Sequence, residues 1–375
     1  MVQTKSSSVY DPVYDPVWVL SPSPLQDACL DSIIDNLPKI TEKKQVEDKD
    51  GICEKRTEFT GDPYVPDKMA EKLLRHASVK GKLTNDNLSL FSSGDFRLKV
   101  VQLPEIDINQ NGHELLKFAK FSLRELELGN TILPGRWSIP KLISSFSGST
   151  ETLHTLTLNL FPAVSVTSGT ILDFVSGFYN LRNFTYITPV TGNGVAFTSD
   201  NWERLLCNCS KLQYLNIHFN GSSQDMQLDS HVFSRHAQSL RCLTLHSALK
   251  SAEAIKSATC VTGFAMLNNL RVLDLSIDVD PQEVYQTIED PESTETLHHS
   301  KLATQVTVFL KLAQTSMAWL QSLDISGILL LKDPAIEAFL DGHPKLEFLG
   351  LCMLHSKYCL HEAVADLVSH VEVGT

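Results

Sequence analysis

The sequence predicts an α/β solenoid, in which short parallel strands line a concave side and helices cover a convex side. The first observation is a pattern of the form Leu-x-x-Leu-x-Leu, with other apolar residues in some copies, which occurs nine times between residues 98 and 351. The second is its spacing, because successive copies begin 25, 30, 28, 31, 28, 30, 50 and 26 residues apart. A near-constant period of this length is typical of leucine-rich repeats, whose units bury their apolar faces only when neighbours stack.

Each copy of the pattern predicts one strand. Side chains alternate along a strand, so the later apolar residues of each copy face the core and the residues between them face the concave surface. The intervals are long enough for a helix, which we expect around residues 202–209 and 232–238. The nine copies begin at Leu98, Leu123, Leu153, Leu181, Leu212, Leu240, Leu270, Leu320 and Leu346.

The concave positions of the predicted strands carry mostly polar side chains. Leucine-rich repeats commonly bind proteins on this side, although a polar sheet surface is also what solubility requires. The concave positions are Glu125, Glu127, Thr155, Thr157, Asn159, Thr185, Tyr214, Asn216, His218, Thr244, His246, Asp274, Ser276, Asp324 and Ser326. Our candidates for contact with a partner are Tyr214, Asn216, His218, His246, Asp274 and Asp324.

Residues 23–37 predict an amphipathic helix that precedes the repeats. Ser23 and Gln26 have the spacing of a capping box, and Pro24 stands where a first-turn proline is tolerated. Most amphipathic faces pack inside their own protein, so both apolar edges of this helix could belong to the core. One edge carries Leu25, Cys29 and Ile33, and the other carries Leu30, Ile34 and Leu37.

A second helix is expected over residues 65–77, with Pro66 in its first turn. Residues 39–63 are charged and weakly periodic, which predicts a loop or linker between the two helices. The sequence therefore predicts a disordered tail (1–20), a small all-helical module (21–96), leucine-rich repeats (97–352) with an acidic insertion (about 277–300) and a helix at 301–320, and a C-terminal cap (353–375).

The composition excludes several classes of function. The net charge of -12, from 32 basic and 44 acidic residues, disfavours a nucleic-acid partner. No apolar run is long enough for a signal peptide or a membrane span, so we expect a protein of the cytoplasm or nucleus without a membrane partner. The eight cysteines are expected to be reduced thiols, most of them buried.

The sequence contains none of the common catalytic or nucleotide-binding motifs, so we expect a non-catalytic protein without a cofactor. Four zinc-competent side chains lie near the C-terminus. Their spacing, C-x2-H-x3-C-x-H, fits no common structural zinc pattern, and we therefore expect no metal site there. These four residues are Cys352, His355, Cys359 and His361.

Two N-terminal patterns resemble docking motifs of cullin-RING ligase receptors. Pro-Leu-x-x-x-Cys-x-x-x-Ile resembles the BC box, a helix whose leucine fills an apolar pocket of Elongin C and whose small cysteine lets the two backbones approach. Val-Pro-x-x-Met-x-x-x-Leu resembles the cullin box that follows a BC box in receptors using cullin two. The resemblance implies that Leu25, Cys29 and Ile33 face Elongin C, and that Val65, Pro66, Met69 and Leu73 contact the cullin.

A wider resemblance covers residues 25–351. The stretches VPDKMAEKLLRHASVKGKLTNDNLSLF, FRLKVV, LRVLDLS and LQSLDISGILLLKDPAIEAFLDGHPKLEFLGL are similar to those of the Zyg-eleven and Zer-one homologue family. This implies a substrate receptor of a cullin-two RING ubiquitin ligase, assembled with Elongin B, Elongin C and the RING subunit. Family members continue into armadillo-type repeats that bind N-terminal glycine degrons. This sequence ends at Thr375, before any such array, so degron recognition is not carried over.

Two other interpretations remain open. In the first, the chain is a leucine-rich repeat scaffold without ligase function, and its N-terminal helices merely cap the array. Leu25 and Cys29 would then be buried within the chain. In the second, the chain is an F-box receptor that uses the Skp-one adaptor, although the sequence contains no recognisable F-box. The adaptor that co-purifies with the chain distinguishes these interpretations.

Overall fold

The structure is a computed structural model that describes residues 24–47, 53–61, 63–92, 96–133, 139–162, 168–187, 197–218, 230–246, 263–264, 266–276, 317–325 and 340–350. It begins with helix α1 (Pro24–Ile40), in which Leu30, Ile34 and Leu37 are buried. An antiparallel hairpin and two further helices follow, and together they precede the repeats. The elements of this N-terminal module are α1 (Pro24–Ile40), β1 (Thr41–Glu47), β2 (Cys53–Phe59), α2 (Asp67–Val79) and α3 (Asn85–Ser92).

Within the described residues, nine further strands form one parallel sheet in the order of the sequence. Every strand begins two residues after the first leucine of a predicted repeat, so the predicted leucine-rich repeat solenoid is confirmed. The strands are β3 (Val100–Leu103), β4 (Glu125–Leu133), β5 (Thr155–Pro162), β6 (Asn183–Ile187), β7 (Tyr214–His218), β8 (Cys242–His246), β9 (Val272–Asp274), β10 (Ser322–Asp324) and β11 (Phe348–Gly350).

Helices lie between successive strands and pack against one another along the convex side. Two of them overlap the positions where the sequence predicts helices, at residues 202–209 and 232–238, although both begin and end earlier than predicted. Helix α7 (Ser199–Asn208) begins at a capping box, in which Thr198 accepts a hydrogen bond from the backbone N–H of Asn201. The convex helices are α4 (Ile108–Lys117), α5 (Ile139–Ser145), α6 (Ser168–Val175), α7 (Ser199–Asn208) and α8 (Ser230–His236).

The core lies between the sheet and these helices. In β7, Leu215 and Ile217 are buried, whereas the alternate residues face the concave side and are half-buried. On the helical side, the buried ring of Trp202 lies 5.6 Å from Phe233, whose own ring meets Phe264 edge-on at 5.3 Å. Aromatic side chains therefore join three consecutive repeats into one core.

The structure corrects two predictions for the N-terminal module. Residues 39–63 are not a linker and the module is not all-helical, because β1 and β2 pair along their whole length from Thr41 opposite Phe59 to Glu47 opposite Cys53. Pro66 occupies the N-cap position of α2 and not its first turn. The hairpin packs against α3, so that this charged segment is held by its neighbours.

Several predictions lie outside the described residues. These are the tail at 1–20, the capping role of Ser23, the acidic insertion at 277–300, the C-terminal cap at 353–375, and the cysteines and histidines at 352–361. Of the helix predicted at 301–320, the structure describes only residues 317–320, which form a turn before β10.

Candidate docking interface

Helix α1 has one apolar edge in the core and one in solvent. Leu25 is 74% exposed and Cys29 is also exposed, whereas Leu37 is fully buried. Ile33 lies between the two edges, since it is half-buried and packs against the core. The surface offered by this helix is therefore centred on Leu25 and Cys29, with Ile33 at its inner margin.

Polar contacts between α1 and α2 fix the orientation of this exposed edge. Asp31 accepts hydrogen bonds from Lys80, at 3.2 Å, and pairs with Nε2 of His76 at 2.9 Å. The hydrogen bond to His76 is the main reason that the pKa of Asp31 lies below its usual range. One turn further along α1, Asp35 forms an ion pair with Lys82. Because Leu30, Ile34 and Leu37 are buried beside these pairs, α1 is attached to α2 by both polar and apolar contacts.

Helix α2 is in turn attached to the first strand of the solenoid. The carboxylate of Glu71 accepts hydrogen bonds from the backbone N–H groups of Lys99 and Val100, at 2.8 and 3.0 Å. Asp67 accepts one from Arg97 at 3.1 Å. A strand at the end of a sheet has backbone groups without a neighbouring strand, and these carboxylates satisfy part of that edge. Helix α2 therefore caps the repeat array and holds α1 at its end.

The residues that the cullin-box resemblance identifies do not share one environment. Pro66 is exposed, Met69 is 39% exposed and Val65 is half-buried. Leu73 is only 2% exposed and packs in the core, unlike the other three residues that the resemblance assigns to the cullin contact. The α2 stripe that includes Leu73 covers the end of the repeats and is unavailable to a partner.

The sequence analysis missed one exposed residue in this region. Tyr64 is 90% exposed and directly precedes Val65 and Pro66. A large apolar ring in solvent next to an exposed proline and methionine is a common feature of docking surfaces. The signal was in the sequence, as an aromatic residue outside any periodic apolar pattern.

The concave candidates fall into two groups. Tyr214, Asn216 and His218 lie on β7, where each is half-buried. His246 lies beside His218 on the next strand, with their ring centroids 5.1 Å apart. These four residues form one polar patch in the middle of the sheet.

The second concave group surrounds Ser276. Its hydroxyl donates to Asp274, and Nδ1 of His246 lies 2.7 Å from the same oxygen. Because that hydroxyl has one proton, His246 must donate its Nδ1–H to the serine. Burial raises the pKa of Asp274, and the nearby charge of Asp324 raises it further. This second group is therefore a hydrogen-bonded network of His246, Ser276 and Asp274, with Asp324 beside its acidic end.

The four cysteines with described side chains are free thiols. Cys29 and Cys207 are exposed, whereas Cys209 and Cys242 are buried. Cys209 is buried, and burial raises the pKa of its thiol to about 12. In the described part of the chain, no three His, Cys, Asp or Glu side chains are placed to hold a metal ion. None of the described helices is long and apolar enough to cross a membrane.

Comparison with known proteins adds little to this geometry. No protein-family model matches the sequence. Among solved structures, the chain is similar to a chain in the crystal structure of the Rad7 and Elc1 complex in yeast, with 13% sequence identity over 90% of this chain and 92% of that chain. The TM-score is 0.28, and a likeness this weak supports no inference about the present chain.

Proposed function

We propose that this chain is a substrate-receptor subunit of a cullin-two RING ubiquitin ligase, and that it binds Elongin C through the exposed edge of α1. The observation that carries the proposal is the division of that helix. Leu25 is 74% exposed and Cys29 lies one turn further along the same edge, while the opposite edge is buried. An exposed leucine beside a small residue suits a helix that enters an apolar groove closely.

The remaining subunits of the complex follow from the same proposal. Elongin B enters with Elongin C, and the cullin with its RING subunit contacts the segment of Val65, Pro66 and Met69, to which Tyr64 adds an exposed ring. The repeats hold the target protein. The chain itself performs no catalysis, because its contribution is to bring target and ubiquitin-loaded enzyme together. We place this activity in the cytoplasm or nucleus.

The alternative is a repeat scaffold whose N-terminal helices only cap the array. Helix α2 does cap the first strand, through Glu71 and Asp67. Capping alone, however, gives no role to the exposed edge of α1 that carries Leu25 and Cys29. Their exposure favours docking, since an exposed apolar edge lowers solubility unless a partner covers it.

Co-purification with Elongin B and C tests the proposal. The wild-type chain should retain both proteins, and the variant Leu25→Ser with Cys29→Ser should lose them. A matched control is Phe174→Ser with Cys207→Ser, which changes the same kinds of exposed side chain on α6 and α7. The proposal fails if the wild type does not retain Elongin C, or if both double variants retain it equally. Retention of Skp-one in its place would indicate the F-box interpretation.

A further inference from the structure

One row of side chains crosses the whole concave face. The parallel register places one residue from each strand side by side, at the same level of the sheet. We call this set the central row. It consists of Gln102, Glu127, Thr157, Thr185, Asn216, Thr244, Asp274, Asp324 and Gly350.

All formal charge on the central row is negative and lies towards its two ends. Glu127 stands near one end, and Asp274 and Asp324 stand next to each other near the other. The concave positions of the nine described strands include no lysine or arginine. Some basic residues precede the strands, as Arg124 does, about 10 Å along the chain from the central row and near the screening length of physiological salt. Arg75, on α2, is close enough for its charge to act on Glu127.

Glu127 and Asp274 are half-buried and have no full counter-charge. Burial raises the pKa of Glu127, and the opposing effect of the Arg75 charge is too small to cancel this rise. Neither Glu127 nor Asp274 forms an ion pair with a described residue. At the far end, glycine at position 350 makes room for Asp324, since a Cβ there would lie 2.5 Å from its Oδ1 atom. The face therefore presents preformed sites for positive charge.

The residues between the two ends are neutral and form hydrogen bonds. Thr157, Thr185, Asn216 and Thr244 separate Glu127 from Asp274. The side-chain oxygen of Asn216 is buried and has no hydrogen-bond donor among the described residues. A buried acceptor without a donor is costly, and the backbone N–H groups of an extended peptide are donors of the kind that this oxygen lacks.

The spacing of the charges defines the length of segment that fits. Five strand intervals separate Glu127 from Asp274, which at about 4.8 Å each gives about 24 Å. An extended chain advances about 3.3 Å per residue, so about seven residues span this distance.

We propose that the central row binds an extended basic segment of a protein partner, with one cationic side chain at Glu127 and a second, about seven residues away, between Asp274 and Asp324. Nucleic acid and acidic peptides are excluded by the sign of the charge. The inference rests on the proposed function in one respect: within a ligase complex, this segment is the feature of the target that the receptor recognises.

Peptide binding to the full chain tests the inference. The probe is a fluorescent peptide of serine and threonine with two arginines about seven residues apart. One control peptide has the same composition but places the two arginines next to each other. A second control peptide keeps the spacing and replaces both arginines with glutamates. The spaced arginine peptide should bind most tightly, and about 0.5 M salt should weaken it. Glu127→Gln and Asp274→Asn should each weaken binding about fivefold, and Asp200→Asn on α7 should leave it unchanged.

Three outcomes would overturn the inference: no binding of the spaced peptide, equal binding of the glutamate peptide, or equal affinity of the Glu127→Gln and wild-type chains. Both substitutions preserve side-chain shape, and thermal unfolding checks that each variant is folded. Glu127→Gln should still retain Elongin C in the co-purification experiment. If the wild-type chain retains Elongin C but does not bind the peptide, the inference about the central row fails and the proposed function stands. If it binds the peptide but does not retain Elongin C, the proposed function fails and peptide binding by the central row stands.

Discussion

The carboxylate of Glu71 accepts a hydrogen bond from the backbone N–H of Val100 at 3.0 Å, and so joins the N-terminal module to the first strand of the solenoid. The same oxygen accepts from Lys99 at 2.8 Å. Glu71→Ala should lower the free energy of unfolding by about 1–3 kcal/mol, because two backbone donors lose their acceptor. Glu71→Gln keeps that acceptor and should lie closer to wild type. Urea unfolding measures both, and equal stability of the three proteins would contradict this role.

The two edges of α1 should respond differently to truncation. Leu37→Ala removes a fully buried side chain and should cost about 2–5 kcal/mol of stability. Leu25→Ala removes an exposed one and should change stability by less than about 0.5 kcal/mol. Chemical denaturation compares the variants. A large loss of stability in Leu25→Ala would mean that this residue serves the core and not a partner.

The contact between Asp31 and His76 should give the fold a dependence on acid pH. The pKa of Asp31 is lowered in the folded chain, so its charged form stabilises the fold above the usual aspartate range and this contribution is lost as pH falls through the lowered pKa. Asp31→Asn should therefore be less stable than wild type at pH 6, and the difference should shrink towards about pH 3. A difference that stays constant with pH would contradict the pairing.

Glu127 should show the opposite sign. Burial raises the pKa of its carboxyl group, so the charge opposes folding, and this cost grows as pH rises from the unfolded pKa through the raised folded one. Glu127→Gln should gain stability relative to wild type as pH rises from about 4 to 7. Unfolding measured across that range checks the prediction. A variant that loses stability at neutral pH would show that the carboxylate serves the fold.

The repeat period predicted the sheet because the leucines that set the period are also the residues that the sheet buries. Leu212, Leu215 and Ile217 illustrate this: the pattern and the core are the same side chains. The hairpin was missed for the converse reason. Its strands are charged, and among the hairpin residues with described side chains only Thr57 is buried. Contacts such as the ion pair of Lys44 with Glu58 at 2.9 Å leave no apolar periodicity in the sequence.

The candidate interface was predictable only in part. Spacing separated the two edges of α1, but it could not say which edge faces solvent, since that depends on where α2 lies. Leu73 shows the limit, because a motif in an amphipathic helix does not reveal whether its leucine meets a partner or the chain's own core. The central row needed the strand register, which joins Glu127 to Asp274 across residues far apart in sequence.

Alkylation of Cys29 with and without Elongin B and C tests the central claim most directly. Cys29 and Cys207 are both exposed, so each should react in the free chain, and Cys207 serves as an internal control on α7. If Elongin C covers the exposed edge of α1, its addition should slow the alkylation of Cys29 by about tenfold or more and leave Cys207 unchanged. An unchanged rate at Cys29 in the presence of Elongin B and C would contradict the account.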